Sequence, residues 1–128
     1  MHDLDRLPPQ APDIERAVIG SMLLEPRTVV PKVIRAGRDL FFSTSTMVVA
    51  QAMEYLHEQG VPVDQLTVSQ RLTETKMLNA AGGEATLSAL LTGTASAASI
   101  DYHLKTLREK ALLRKIALMC HKVYDDAH

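Results

Sequence analysis

Along most of the chain, apolar residues recur at three- and four-residue intervals, and Gly, Pro and small polar residues interrupt the pattern between runs. That period is what helices burying one face produce. The first predicted helix follows Asp13, whose carboxylate can cap it, and sets Ile14, Ala17, Val18 and Met22 along one face. Gly20 inside it weakens the helix by about 1 kcal/mol relative to Ala. Close backbone packing against a neighbour would explain that, and so would simple tolerance. Pro26 closes this helix and Thr28 can cap the next, with Pro31 in its first turn, Val30, Val33 and Ile34 inward, and Gly37 as the stop. Asp39-Leu40-Phe41-Phe42 forms a short apolar plug. Ser45 or Thr46 starts a third helix carrying Val49, Ala52, Met53 and Leu56, and Gly60 ends it. Val61-Pro62-Val63 cannot continue a helix. Asp64 caps a fourth, with Leu66, Val68 and Leu72 inward; Gly82-Gly83 breaks the chain, and Glu84 to Leu91 is a fifth, short helix.

The ends differ from this middle. Residues 1–12 hold three of the six prolines and read as a flexible arm, residues 13–91 as a helical head, and residues 92–99, all small, as a linker. From Ile100 to Tyr124 there is neither Gly nor Pro, which predicts one helix of about 37 Å. Ile100, Leu104, Leu107 and Ala111 line a narrow stripe in its first half. In its second half Leu112, Leu113, Ile116, Ala117, Met119, Cys120, Val123 and Tyr124 cover a wider arc, rotated by roughly 170° from the first. The helix therefore changes partners near residue 111. Its first half packs on its own head, and its second half needs another partner or must fold back onto the same head. The protein-interface set is Leu112, Leu113, Ile116, Met119, Cys120, Val123 and Tyr124. The fold class is all-α: a compact head of about five short helices, then a long helix over residues 100–128.

Composition narrows the chemistry. Aromatics make up only 4% of the 128 residues, so the core is built from aliphatic side chains and Met, which suits packed helices. With 14 basic and 15 acidic residues the net charge is -1, a poor basis for neutralising phosphates. The basic stretch Lys105, Arg108, Lys110, Arg114 and Lys115 is interleaved with Glu109 and reads as a solvated helix face. The single cysteine, Cys120, excludes an internal disulfide and fits a reducing cytosol. Met1 to Gln10 lacks the apolar centre of a signal peptide, no apolar run approaches the ~20 residues of a membrane span, and the expected location is cytoplasmic.

Catalytic signatures are missing from these 128 residues. No Gly is followed by Lys, so there is no phosphate-gripping loop. The five His are dispersed; His103 and His121 share a helix face but stand ~27 Å apart, too far to hold one metal. Cys120 and His121 point to different faces, and Asp125-Asp126 reads as a solvated tail. No catalytic, cofactor-binding or metal-binding residue is assigned, and no enzyme is expected of this stretch.

Four segments, in order, resemble the N-terminal domain of DnaB-type replicative DNA helicases. They are Pro8-Pro9-Gln10 with Glu15-Arg16-Ala17-Val18-Ile19-Gly20; Asp39-Leu40-Phe41; Gly60-Val61-Pro62-Val63-Asp64 with Thr67; and Leu78, Gly82-Gly83, Ala95 to Ser99, Tyr102 and Arg114. Each alone is largely helix punctuation, and their order across residues 8–124 makes the match specific. Ser43-Thr44-Ser45-Thr46, Glu84-Ala85-Thr86 and Ser99 depart from residues common in the family. The resemblance implies a helical head followed by a helical hairpin, with residues 100–128 as the hairpin's first arm. It further implies a parent hexameric ring that unwinds duplex DNA, with ATP and Mg in a downstream motor domain outside this chain. In such a ring the N-terminal domains form a collar, a trimer of dimers, that docks the primase C-terminal domain. Loader proteins engage the same helicase, and DNA is met only through the ring.

Two other readings remain beside it. One is a DNA-binding helical domain using residues 64–78, where Arg71 and Lys76 are offset by Asp64 and Glu74. The other is a stand-alone adaptor protein.

Overall fold

The computed structural model describes residues 7–127 and consists of six helices: α1 (Pro12–Leu24), α2 (Pro26–Ala36), α3 (Thr44–Glu58), α4 (Gln65–Glu74), α5 (Gly83–Thr92) and α6 (Ile100–Ala127). Among the described residues there is no strand, so the all-α class and the five-helix head are as the periodicity predicts. The proposed arm of residues 1–12 lies outside the described residues over 1–6.

α1 is the hub: α2, α3, α5 and α6 all pack against it. Val18, Ile19, Gly20, Ser21, Met22 and Leu23 are consecutive and all buried. A helix buried all round shows no single apolar face, which is why the one-face reading missed Ile19 and Leu23. Around it the core continues through Val29, Val30 and Val33 of α2, Val49 and Met53 of α3, Val68 and Leu72 of α4, and Leu87 of α5. Leu40 and Phe41 plug the space between α2 and α3, while Phe42 is partly exposed.

Several starting points differ from the sequence expectation, each for a local reason. α1 begins two residues early, with Pro12 at its first position, so Asp13 pairs with Arg16 instead of capping. α2 likewise opens at Pro26, and Thr28 lies within it. A fixed φ and a missing N–H suit Pro to the first helical position, so Pro26 both ends α1 and starts α2 across the single residue Glu25. Pro31 consequently sits inside α2, not in its first turn. α3 starts at Thr44 with Ser43 before it, ahead of the expected Ser45 or Thr46. Leu66 faces solvent rather than the core.

The start of α4 and most of the stops follow the predicted logic, with one substitution. Asp64 caps α4 in a reciprocal box: Thr67 N–H donates to its carboxylate at 2.9 Å, and its own N–H donates to Thr67 Oγ1 at 3.0 Å. α4 then ends at Glu74, not at Gly82, because Lys76 takes the left-handed conformation (φ 61°) usually left to Gly. Met77 N–H donates to Leu72 O at 2.8 Å and Lys76 N–H to Thr73 O at 3.1 Å, which satisfies two terminal carbonyls. Gly82 (φ 97°) instead closes the turn before α5, through Gly82 N–H to Asn79 O at 3.0 Å and Gly83 N–H to Leu78 O at 2.9 Å.

Two placements reach across the sequence. Glu15 of α1 is fully buried, and its carboxylate caps α3 from outside. Phe42 N–H donates to Oε2 at 3.0 Å, while Ser43 N–H at 3.0 Å and Thr46 Oγ1 at 2.7 Å donate to Oε1. Gly20 meets the end of α5 so closely that a Cβ there would lie 1.9 Å from Thr94 Oγ1 and 2.8 Å from Leu90 O. Close backbone packing is therefore the reason for this glycine, and Thr94 Oγ1 is held against it by donating to Leu90 O at 2.8 Å.

Candidate protein interface

α6 is 28 residues long and leaves the head halfway along. Ile100, Leu104 and Leu107 are buried in the head core, as the first stripe predicts. Lys32 of α2 holds the start of the helix by pairing with Asp101 at 2.9 Å. Arg114 makes the last anchor. Its Nη1 donates to Pro9 O and its Nη2 to Asp39 O, both at 2.8 Å, and the guanidinium lies 5.5 Å from the Phe42 ring centroid. One planar fork thus ties α6 to the segment before α1 and to the loop before α3. Its membership of a solvated basic face is corrected by these contacts; Lys105, Arg108 and Lys115 are exposed as expected.

Beyond Lys115 the helix stands clear of the head. Leu112, Leu113, Ile116, Met119, Cys120, Val123 and Tyr124 are all exposed, Ile116 by 46%. This half of the helix does not fold back onto the head. Leu112, Ile116, Met119 and Val123 follow one another at three- or four-residue intervals on one face, with Leu113, Cys120 and Tyr124 beside them. Leu118, 72% exposed, escaped the sequence reading. It continues the head-facing line of Leu104, Leu107 and Ala111, so its helical position assigns it to the core. Only the head's extent, which ends before it, leaves it outside. Among polar groups of this half, His121 Nε2 lies 3.2 Å from an Asp125 carboxylate oxygen.

A helix half about 24 Å long, with large aliphatic side chains on two sides, has one evident physical use. Soluble proteins rarely leave so contiguous an apolar surface without an interaction for it. Each large aliphatic side chain buried contributes roughly 1.5–3 kcal/mol. Charge does little here, and the chemistry is burial of apolar area. No helix among the described residues is long and apolar enough to cross a membrane.

Glu54 stands between Arg38 and Glu58, and its carboxyl pKa is raised, by partial burial first and the Glu58 charge second, against the opposing pull of Arg38. Arg71 stacks 3.5 Å from the Tyr55 ring centroid and pairs with Glu74 at 3.5 Å. In the segment weighed as a recognition helix, Arg71 is thus engaged within its own surface.

With this geometry in view, comparisons with known proteins agree with one another. The family described as the DnaB-like helicase N-terminal domain matches residues 7–109. The replicative DNA helicase DnaB of Rhodothermus marinus is 38% identical over 125 residues, covering 95% of this chain and 13% of the relative. The replicative DNA helicase DnaC of Bacillus subtilis is 33% identical over 126 residues, covering 97% of this chain and 27% of the relative. The crystal structure of the N-terminal domain of DnaB helicase from Mycobacterium tuberculosis superposes with a TM-score of 0.85 at 29% identity, covering 93% of this chain and 86% of that one. The chain thus spans between about an eighth and about a quarter of these two curated relatives. The exposed part of α6 lies past the family-matched range.

Proposed function

The chain belongs to the family of DnaB-like helicase N-terminal domains, and from that premise we propose that it is the assembly and docking module of a hexameric replicative helicase. The observation that carries this reading is the apolar half of α6 projecting from a closed head. In the proposal, Leu112, Leu113, Ile116, Met119, Cys120, Val123 and Tyr124 are buried when α6 pairs within a hairpin and against a second domain. Repeated around a ring, such pairs make a collar of three dimers. The head is compact and anchored to α6 at Arg114, so pairing of the helices fixes where the heads stand.

The same collar presents a surface for the primase C-terminal domain, and loader proteins engage the assembled ring. DNA unwinding, with ATP and Mg, belongs in this proposal to a motor domain outside residues 1–128, and the head supplies position rather than chemistry.

Two experiments test the proposal. Assembly is read from the mass of the protein in solution across a concentration series, with Ile116→Glu as the perturbed form. Docking is read by calorimetric titration of the primase C-terminal domain from the same organism onto a longer protein that includes a complete hairpin. Heat with a defined stoichiometry, lost with Ile116→Glu, is the expected result. Absence of heat together with absence of a sizing-column shift would refute the docking half.

A further inference from the structure

A near-neutral chain conceals an uneven surface. Between Ile100 and Lys115, α6 carries five basic residues (Lys105, Arg108, Lys110, Arg114, Lys115) against two acidic ones (Asp101, Glu109). The structure divides them. Arg114 turns towards Pro9 and Asp39. Arg108 and Lys115 instead line a cleft of about 280 Å³ between the middle of α6 and the C-terminal end of α2, where Arg38 stands on the opposite rim. Leu40, Ala111 and Leu112 also line it. Among the described residues, Asp39 is the only acidic one lining the cleft. Among the described residues Arg108 and Lys115 have no ion pair or hydrogen bond, while Arg38 is shared with Glu54 on its other side.

We propose that this cleft is a docking groove for an acidic amphipathic helix of a partner protein. The charge is complementary: three cations meet one acid at the rim. The shape fits as well. Arg108 and Lys115 are two helical turns apart, about 10.5 Å, which is the spacing of acidic residues at i and i+7 on a helix laid alongside. Leu112 lies between them and is 58% exposed, so an apolar side chain at i+4 of the guest has a surface to cover. Apolar anchors flanked by charges are how a helix is read in a groove. A phosphodiester strand is the poorer fit, because no aromatic side chain lines the cleft to stack a base. This inference does not rest on the assembly reading and competes with it at one residue: Leu112 can be covered by the guest helix or by a paired α6, not by both.

The test uses the isotopically labelled chain and a synthetic amphipathic helix with Glu at i and i+7 and Leu at i+4. Backbone amide shifts should move around residues 36–40 and 108–115 and nowhere else. Arg108→Glu combined with Lys115→Glu should weaken binding by roughly tenfold or more. A peptide with Lys in place of Glu should bind that variant and not the wild type. Both substituted residues are exposed, so an unchanged thermal melt is expected and confirms that the fold is kept. Absence of shifts, shifts elsewhere, or equal affinity before and after charge reversal would overturn the proposal. Tighter binding of an oligothymidylate to the same amides would overturn it in favour of a nucleic-acid site. Sedimentation of the same samples separates each result from self-association, so either reading can fail alone.

Discussion

Replacing Glu15 tests the least local feature of the fold. Its two carboxylate oxygens serve two successive backbone donors, Phe42 N–H at Oε2 and Ser43 N–H at Oε1, each at 3.0 Å. In Glu15→Gln only one oxygen remains. Whichever way the amide is turned, its NH2 faces one of these N–H groups, donor against donor. A hydrogen bond to a charged group contributes about 1.5–3 kcal/mol, and a buried donor left without a partner costs about 1–3 kcal/mol. The Gln variant should therefore lose about 2–3 kcal/mol, once partial relaxation is allowed for. Glu15→Ala also loses the Thr46 bond at 2.7 Å and leaves a cavity in a fully buried site. It should lose about 3–5 kcal/mol, a large share of the roughly 5–15 kcal/mol that stabilises a typical domain. Urea denaturation followed by helical circular dichroism measures both. With a slope of about 1–3 kcal/mol per molar urea, the Gln midpoint should fall by about 1 M or more. A Gln midpoint equal to wild type, or a Gln variant less stable than Ala, would refute the capping role.

Further tests address the other contacts. Gly20→Ala should destabilise by about 1–3 kcal/mol despite the better helix propensity of Ala, and Thr94→Ala should restore only part of this because Leu90 O still blocks the Cβ; denaturation of the single and double variants checks it. Arg114→Ala should lose about 1–3 kcal/mol and speed hydrogen exchange at Gln10 and Ala11, and Arg114→Lys should not restore it, since one ammonium cannot bridge the Pro9 and Asp39 carbonyls as the fork does. Glu54 has a raised pKa, so the folded state keeps its proton where the unfolded state has lost it, and stability falls as pH rises through the window above 4.5. Glu54→Gln should match wild type in acid and exceed it near neutral pH, as paired melts at the two conditions would show.

Helix existence was readable from periodicity, most stops from Gly and the start of α4 from Asp64, because these are local properties of a few adjacent residues. The starts were harder. Pro12 and Pro26 each open a helix, yet Asp13 and Thr28 carry the stronger apparent cap signal. Lys76 in a left-handed turn has no marker in its residue type. The burial of all sides of α1 depends on four neighbours that no local window contains. Glu15 and Arg114 act on partners 27 and more residues away, so Arg114 read locally as part of a solvated face and nothing local marked Glu15 as a cap. The apolar half of α6 was legible from the sequence because helix geometry alone rotates its stripe away from the core-facing one. Leu118 was not, because its angle matches Leu104 and only the size of the head excludes it.

Sedimentation equilibrium of wild type and Ile116→Glu, each over a concentration series, tests most directly whether the projecting half of α6 is an assembly surface. Several aliphatic side chains at roughly 1.5–3 kcal/mol each can exceed an association cost of about 4–15 kcal/mol, whereas a charge in the middle of the contact would be buried without a partner. The account predicts a concentration-dependent dimer for a longer protein bearing the complete hairpin, and a shift to monomer on Ile116→Glu with the helical signal of the head unchanged. Equal association of that protein with and without the substitution would contradict it.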